Sequence, residues 1–564
     1  MDMYAITFAQ KVGLPYLLPN ELISGKDIRD SLNAASAATT VWARSLSVEA
    51  LNWTENWAYY GSNGFFQYCC YPVYVATALA RNFQKNGTRL ITFLRNPPLF
   101  YDLGRSSDIG AYLWTQILGD STLTMRYTAP CYQPVLPQRQ QQDWSCLQDA
   151  VVFSFNEGCL ARQWPLMEPT HKECGYPVVW MPYYFGLMPK TAALQALDKG
   201  NMAYKSIPVR ALPVPSEKNA SMPADAGKLL QKAADGIIPH AAQLGAIFEE
   251  HANFYARLEA QLKMLCAIWS KFRPRLVVAE NIAQPEYAVP LLAAKQLGIP
   301  SIAVPHGALH VPARCSPPLP ATRYAFASAF TEDAFAESNA VSADVIGSFD
   351  AVAMENEHPV QHHENLLPRD EKINILVLTG PPVSLTPLHM FITDAEHTQA
   401  LRQLYTIPPD LEGKARVMFK THPGTLEFWD YYRAGIGQEQ ILPKNSILAE
   451  ALVTTDIVVA LDYVGSPHCQ AMRADIPVIT CIASDHLRNA TQYTRIVMEA
   501  GLVAEGVEAV WGYARRLLTD LSFRNDCLAR QRTFHEARLH PRRNDWIAWL
   551  QETITNDAYI KASL

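Results

Sequence analysis

The sequence is short of charge, has no long apolar run and carries no paired-cysteine motif, and each shortage excludes a class of protein. Charged residues make up 18% of 564 positions, against roughly 25% in ordinary soluble domains. With 49% apolar residues, the chain has the surface to bury that a disordered protein lacks. Lys plus Arg number 48 against 54 Asp plus Glu, a net charge of −6. There is no basic excess to draw nucleic acid, so any anion must be held by local geometry. No stretch reaches the roughly 18 consecutive apolar residues of a membrane span. The 11 cysteines include the adjacent Cys69 and Cys70 but no CxxC pair and no Cys/His quartet at zinc spacing, so no metal site is expected. Residues 1 to 19 lack the charged start, apolar core and small-residue cleavage site of a secretory signal. A cytoplasmic chain with free thiols is the expectation. No internal repeat is found, which excludes solenoids and propellers.

The length exceeds what one hydrophobic core serves, so two domains are expected. From Arg275 onward, β-branched apolar runs at 275–280, 301–307, 344–348, 373–380, 416–423, 456–462 and 476–483 alternate with helical patterns. That alternation is the signature of parallel βαβ construction. Residues 355–370, ENEHPVQHHENLLPRD, are polar and aperiodic and read as a linker between domains 1–354 and 371–564. The last 40 residues are candidates to cross back onto the first domain. In the first half, strand-like pieces at 89–94 and 177–185 and a helical region at 224–272, broken near Gly236 and Pro239, are all that periodicity resolves. The Trp- and Tyr-rich stretch 40–62 would suit a sugar cleft, although core packing accounts for it more simply. In 530–550, arginines interleave with Phe534, Trp546, Trp549 and Leu550. This is the one candidate for peripheral contact with the inner membrane, and a helix packed on the body is the preferred alternative.

In an open parallel sheet, ligands gather beyond the carboxyl ends of the strands. The run RVMFKTHPG places Lys420 and His422 on one side of a strand end, with Pro423 suited to a first helical position. A cation, an imidazole and a helix dipole converging on one point describe a phosphate site. After the strand DIVVALD come Gly465 and Ser466, with Ser466 read as an N-cap whose hydroxyl and neighbouring amides face the same phosphate. His468 is a weaker partner, one residue into the helix, and Gly380 marks a phosphate-facing turn that Pro381 and Pro382 weaken by removing donors. In the first domain, Glu280 and His306 close two strands and face the expected cleft. Glu280 could act as base or nucleophile in glycosyl transfer, and His306 could contact donor or acceptor.

The order KTHP, then LAEALVTTDIVVALDYVGSPHCQAMRADIPVI, resembles the nucleotide-binding domain of GT-B glycosyltransferases that build bacterial capsules and lipopolysaccharide. The upstream blocks FRPRLVVAEN, LGIPSIAVPHG and DVIGSFD are similar to the end of that family's first domain. The resemblance implies an α/β GT-B fold, two Rossmann-like parallel-sheet domains facing a cleft. It implies transfer of a sugar from a nucleotide sugar to a glycan or lipid-linked glycan, with no metal or other cofactor. Glu450 resembles a family acid near the base or ribose. Gln470 stands where many GT-B enzymes place a ribose-binding Glu. That departure, with the His-Pro and Ser elements, is similar to sialyltransferases and Kdo transferases and favours a CMP-activated 2-keto sugar. UDP or GDP sugars, a CDP-alcohol phosphotransferase of the teichoic-acid type, and a catalytically silent binding protein of the same fold stay open.

Overall fold

The computed structural model describes residues 24–48, 143–155, 160–184, 191–205, 226–238, 245–281, 285–305, 320–339, 342–349, 372–379, 395–421, 434–443, 446–483, 492–543 and 545–556, with scattered positions at 70–85, 207–208 and 241. Helix α1 (Gly25–Val48) precedes a seven-stranded parallel sheet built from β1 (Val151–Ser154), β2 (Val178–Trp180), β4 (Ala203–Tyr204), β6 (Leu276–Asn281), β7 (Ser301–Pro305), β8 (Arg323–Phe326) and β9 (Ile346–Ser348), in the order β4-β2-β1-β6-β7-β8-β9. β3 (Tyr183–Tyr184) and β5 (Ile207–Pro208) pair separately. The helices of this lobe are α2 (Leu160–Lys172), α3 (Thr191–Lys199), α4 (Ala226–Ala234), α5 (Gly245–Lys271), α6 (Pro285–Gln296) and α7 (Ala329–Asn339).

The second lobe carries a five-stranded parallel sheet of β10 (Ile373–Thr379), β11 (Ala415–Lys420), β12 (Ile457–Leu461), β13 (Val478–Ile482) and β14 (Leu502–Glu505), in the order β11-β10-β12-β13-β14. Its helices are α8 (Ala395–Tyr405), α9 (Leu448–Val453), α10 (Ser466–Arg473), α11 (Gln492–Ala500), α12 (Val507–Thr519) and α13 (Leu521–Phe534); α14 (Trp546–Thr555) ends the described chain. The observed class, α/β with two parallel-sheet lobes, is the one the alternating runs implied.

Both sheets are buried on both faces, which is why their strands read as continuous apolar runs. On β10, Ile375 and Val377 enter one core with Leu401 and Leu404 of α8, while Leu376 and Leu378 enter another with Ala471 and Met472 of α10. On the first sheet, Val277 and Ala279 face α5 and α6, while Val278 and Phe153 face Leu166 and Met167 of α2. Gly298 ends α6 with φ of +59°, a left-handed position that glycine adopts without steric cost.

The chain returns to the first lobe after α13. Arg543 N–H donates 3.0 Å to Ser348 O, and Trp546, Trp549 and Leu550 of α14 are buried with Phe153 and Phe349. Each indole removes on the order of 200 Å² from water, roughly 5 kcal/mol before entropy is charged. The arginines of this segment face acids: Arg532 meets Asp475 at 2.7 Å and Arg542 meets Asp333 at 2.7 Å. Trp546, Trp549 and Leu550 thus pack on the first sheet and Phe534 on the second lobe, the alternative preferred for 530–550. Among the described residues no helix is long and apolar enough to cross a membrane.

Arg323 anchors α14. Only 2% exposed, its guanidinium donates to Trp549 O at 3.1 Å, Thr553 Oγ1 at 3.0 Å and Glu552 Oε2 at 3.1 Å, and stacks over the Trp549 ring at 4.5 Å. Replacing Arg323 by Met strands buried acceptors and should cost the first lobe about 2 kcal/mol or more. Glu552→Gln, at a half-exposed carboxylate, should cost less than about 1 kcal/mol. Urea unfolding followed by tryptophan fluorescence checks both, and equal midpoints for the two variants would remove Arg323 as the anchor.

Candidate functional site

In each lobe, two neighbouring strands send their connections to opposite faces of the sheet. β10 leads to α8 on one side, and β12 leads to α10 on the other. β1 leads to α2, and β6 leads to α6, again on opposite sides. A crevice opens between such strands at their carboxyl ends, because neither helix covers it.

Lys420 closes β11. Register pairs Lys420 with Leu378, Leu378 with Ala460, and Ala460 with Thr480, so these four side chains stand on one face, beneath α9 and α10. Two strand spacings, roughly 10 Å, separate Lys420 from β12. Lys420 is 7% exposed and its Nζ donates 3.2 Å to Ser446 Oγ; among the described residues no carboxylate pairs with it. Burial lowers its ammonium below the ordinary lysine range, because nothing anionic repays the desolvation. A buried cation in this condition is suited to receive an anion. Beside it, Thr421 Oγ1 is buried with no hydrogen-bond partner.

The turn before α10 differs in detail from the expected one. Gly465 is the N-cap and Ser466 the first helical residue. Pro467 has no N–H, and His468 N–H donates 2.9 Å to Gly465 O. The turn thus offers an anion Ser466 rather than a row of amides, a narrower cradle than the spacing suggested. A Cβ at Gly465 would meet the tip of the Tyr463 side chain, which would have to shift. His468 is fully buried: Nδ1 accepts from Gly465 N–H at 3.3 Å and Nε2 meets Thr480 Oγ1 at 3.2 Å. Both ring nitrogens are spent inside the protein, so the residue braces the turn instead of reaching a ligand. Gln470 is half-buried with Oε1 unpartnered, and Glu450 is exposed in the first turn of α9, just beyond Ser446.

A further pair sits at the same crevice. His397, in the first turn of α8, meets Asp462 at 3.2 Å between Nδ1 and Oδ2, and Asp462 Oδ1 accepts from Ala483 N–H at 2.9 Å. Sequence reasoning missed it because the two residues lie 65 positions apart. The available signal was an aspartate directly after a buried strand.

In the first lobe Glu280 is the penultimate residue of β6, fully buried and in register with Val304. On the neighbouring β1, Ser154 Oγ, in register with Ala279, and on α2 both amide atoms of Gln163 are buried without hydrogen-bond partners. Unsatisfied polar groups cost about 1 to 3 kcal/mol each and concentrate where function requires them. His306, Gly380, His422 and the linker 355–370 lie outside the described residues. Among the described residues no cluster of His, Cys, Asp and Glu could hold a metal, and the seven cysteines are all free.

No protein-family model matches the chain, and no curated protein matches it. Similar solved structures include UDP-GlcNAc 2-epimerase from Neisseria meningitidis bound to UDP-GlcNAc, 9% identical over 69% of this chain and 98% of that one, TM-score 0.40. They also include MurG from Acinetobacter baumannii, 13% identical over 68% of this chain and 93% of that one, TM-score 0.33. A mutant O-GlcNAc transferase from Thermobaculum terrenum is 11% identical over 87% of this chain and 77% of that one, TM-score 0.35. Likeness at this level carries no residue roles to this chain.

Burial pushes the His468 imidazole down from 6.5 to about 4. The unfolded chain takes up this proton below pH 6.5 and the folded one does not until about pH 4, so the contribution is complete above 6.5 and is lost as pH falls between those values. By pH 5 wild type should lose about 2 kcal/mol that a His468→Gln variant does not. Unfolding midpoints of both proteins at pH 7 and pH 5 read this, and an equal shift in both would contradict it.

Proposed function

We propose that the protein is a glycosyltransferase that moves a sugar from a nucleotide donor held by the second lobe to a glycan acceptor presented by the first. What supports the reading most is the position of Lys420. It is a buried ammonium at a strand end, with no carboxylate partner among the described residues, on the same sheet face as the Gly465–Ser466 turn and two strands from it. A leaving nucleotide develops negative charge on its phosphate, and fixed cationic and dipolar groups aimed at that point stabilise the transition state more than the ground state. Lys420, Ser466 and His422 are assigned that task.

Glu280 is assigned to the acceptor side. In the inverting form of the reaction, the acceptor oxygen bonds to the anomeric carbon as the bond from that carbon to the phosphate oxygen breaks. The electron pair leaves with the nucleotide, and the hydroxyl proton passes to the Glu280 carboxylate. The donor of choice is a CMP-activated 2-keto sugar. Gln470 supports that choice, since an amide offers one acceptor oxygen where a ribose-binding carboxylate would offer two.

Labelled CMP-Kdo, CMP-sialic acid, UDP sugars and CDP-glycerol, each supplied with surface oligosaccharide, separate the readings by the product released. CMP from a CMP sugar is the expected result. UDP would move the donor to a UDP sugar, CMP from CDP-glycerol would mean phosphotransfer, and no release with no nucleotide bound would mean a silent scaffold. Glu280→Gln should abolish turnover with donor affinity unchanged. Lys420→Ala should raise the dissociation constant of the nucleotide about tenfold or more. Ser466→Ala should cost only about 1 to 2 kcal/mol. Steady-state kinetics with calorimetry measures all three, and unchanged kcat in Glu280→Gln would remove it from the mechanism.

A further inference from the structure

α2 turns one face to the first sheet, and Gln163 is on that face. Leu160, Leu166 and Met167 are buried with Phe153, Phe155 and Trp180 in one apolar layer, and Gln163 lies three residues from both Leu160 and Leu166. Other polar groups in the layer are satisfied: Thr170 Oγ1 donates 2.6 Å to Leu166 O, and Trp180 Nε1 donates 3.2 Å to Phe155 O. Gln163 differs. It is fully buried, and neither its Oε1 nor its Nε2 has a hydrogen-bond partner. We propose that Gln163 binds the acceptor sugar through a neutral group that both donates and accepts hydrogen bonds, a hydroxyl or an amide. The inference rests on the transferase reading.

Its place in the fold supports this. β1 leads into α2, so the first turn of α2, which carries Gln163, stands at the carboxyl end of β1. Along β6, Leu276 and Val278 face the same layer, and alternation puts Glu280 on that face as well, where the continued register sets it beside Phe155. The amide thus shares one face and one end of the sheet with the carboxylate assigned to the acceptor hydroxyl. Ser154, one residue out of phase, shares the other face with Ala279 and is no part of it.

The chemistry of the amide selects its ligand. It carries N–H donors, a carbonyl acceptor and no charge. A phosphate or carboxylate would satisfy the N–H groups and strand Oε1; an ammonium would satisfy Oε1 and strand the N–H groups. A sugar hydroxyl or an N-acyl group meets both. Because the amide is already stripped of water in the free protein, a bond to the ligand replaces no bond to solvent. Pro165 gives access. It lies inside α2 and has no N–H for Ala161 O, so one backbone bond fewer ties the first turn to the rest of the helix. That turn is the part of α2 that can yield to a ligand while Leu166 and Met167 stay packed.

Thermal melting of the full chain, and transfer assays with surface oligosaccharide varied at a saturating level of the donor that wild type turns over, test this on Gln163→Met, a change of similar length and volume. Removing two stranded polar atoms should raise the melting temperature by about 2 °C or more. The KM for oligosaccharide should rise about tenfold or more, with the dissociation constant of the released nucleotide near wild type. Gln163→Leu is the second apolar variant and should do the same. A raised oligosaccharide KM with a melting temperature at or above wild type supports the inference. A lower melting temperature in both variants overturns it, since that is the result expected of an amide satisfied within the free protein. If wild type transfers no sugar from any donor, the transferase reading falls and takes this inference with it. If wild type transfers and both variants keep its oligosaccharide KM, the inference alone falls.

Discussion

A parallel strand must be joined to its neighbour by a crossover, and the crossover helix must lie on one face of the sheet. Where two adjacent strands send their helices to opposite faces, the gap at their carboxyl ends has no helix over it. Among the described residues two such gaps are seen, between β1 and β6 and between β10 and β12. Buried ionisable groups stand at them or on the neighbouring strand end: Glu280 in the first lobe, Lys420 and Asp462 in the second. Strand order alone therefore concentrates the chemistry, before any particular residue is chosen.

Side-chain contacts join the two lobes. Phe330 of α7 packs edge-on against Tyr493 of α11 and Phe534 of α13, with ring centroids 5.8 and 6.1 Å away. Tyr493 also bonds Glu337, and Arg542 joins Asp333 and Glu332. The exposed ion pairs contribute little individually. The aromatic contacts and the buried face of α14 supply the larger share, since they remove whole rings from water. The C-terminal segment thus serves as a strap that fixes how the second lobe stands against the first.

Much of this was legible in the sequence, for one physical reason. Strands buried on both faces must be apolar at every position, so the seven runs read from Arg275 onward each contain an observed strand, β6, β7, β9, β10, β11, β12 and β13. β1, VVFS, escaped because three apolar residues and a serine without periodicity do not distinguish strand from helix, and β8 and β14 are equally short. Losing β1 hid the first-lobe crevice, since β6 has no switch point without it. His468 carried a readable warning: three and four residues before the apolar Ala471 and Met472, it falls on the buried face of its helix. Asp462 carried only its place directly after a buried strand, and its meeting with His397 depends on which faces two crossovers take.

The most direct measurement of the central claim is a crystal structure of the full chain with CMP. The account predicts the phosphate beyond the carboxyl end of β10, within hydrogen-bond distance of Lys420 Nζ and Ser466. A nucleotide seated in the first lobe, or on the second with its phosphate turned away from Lys420, would contradict it.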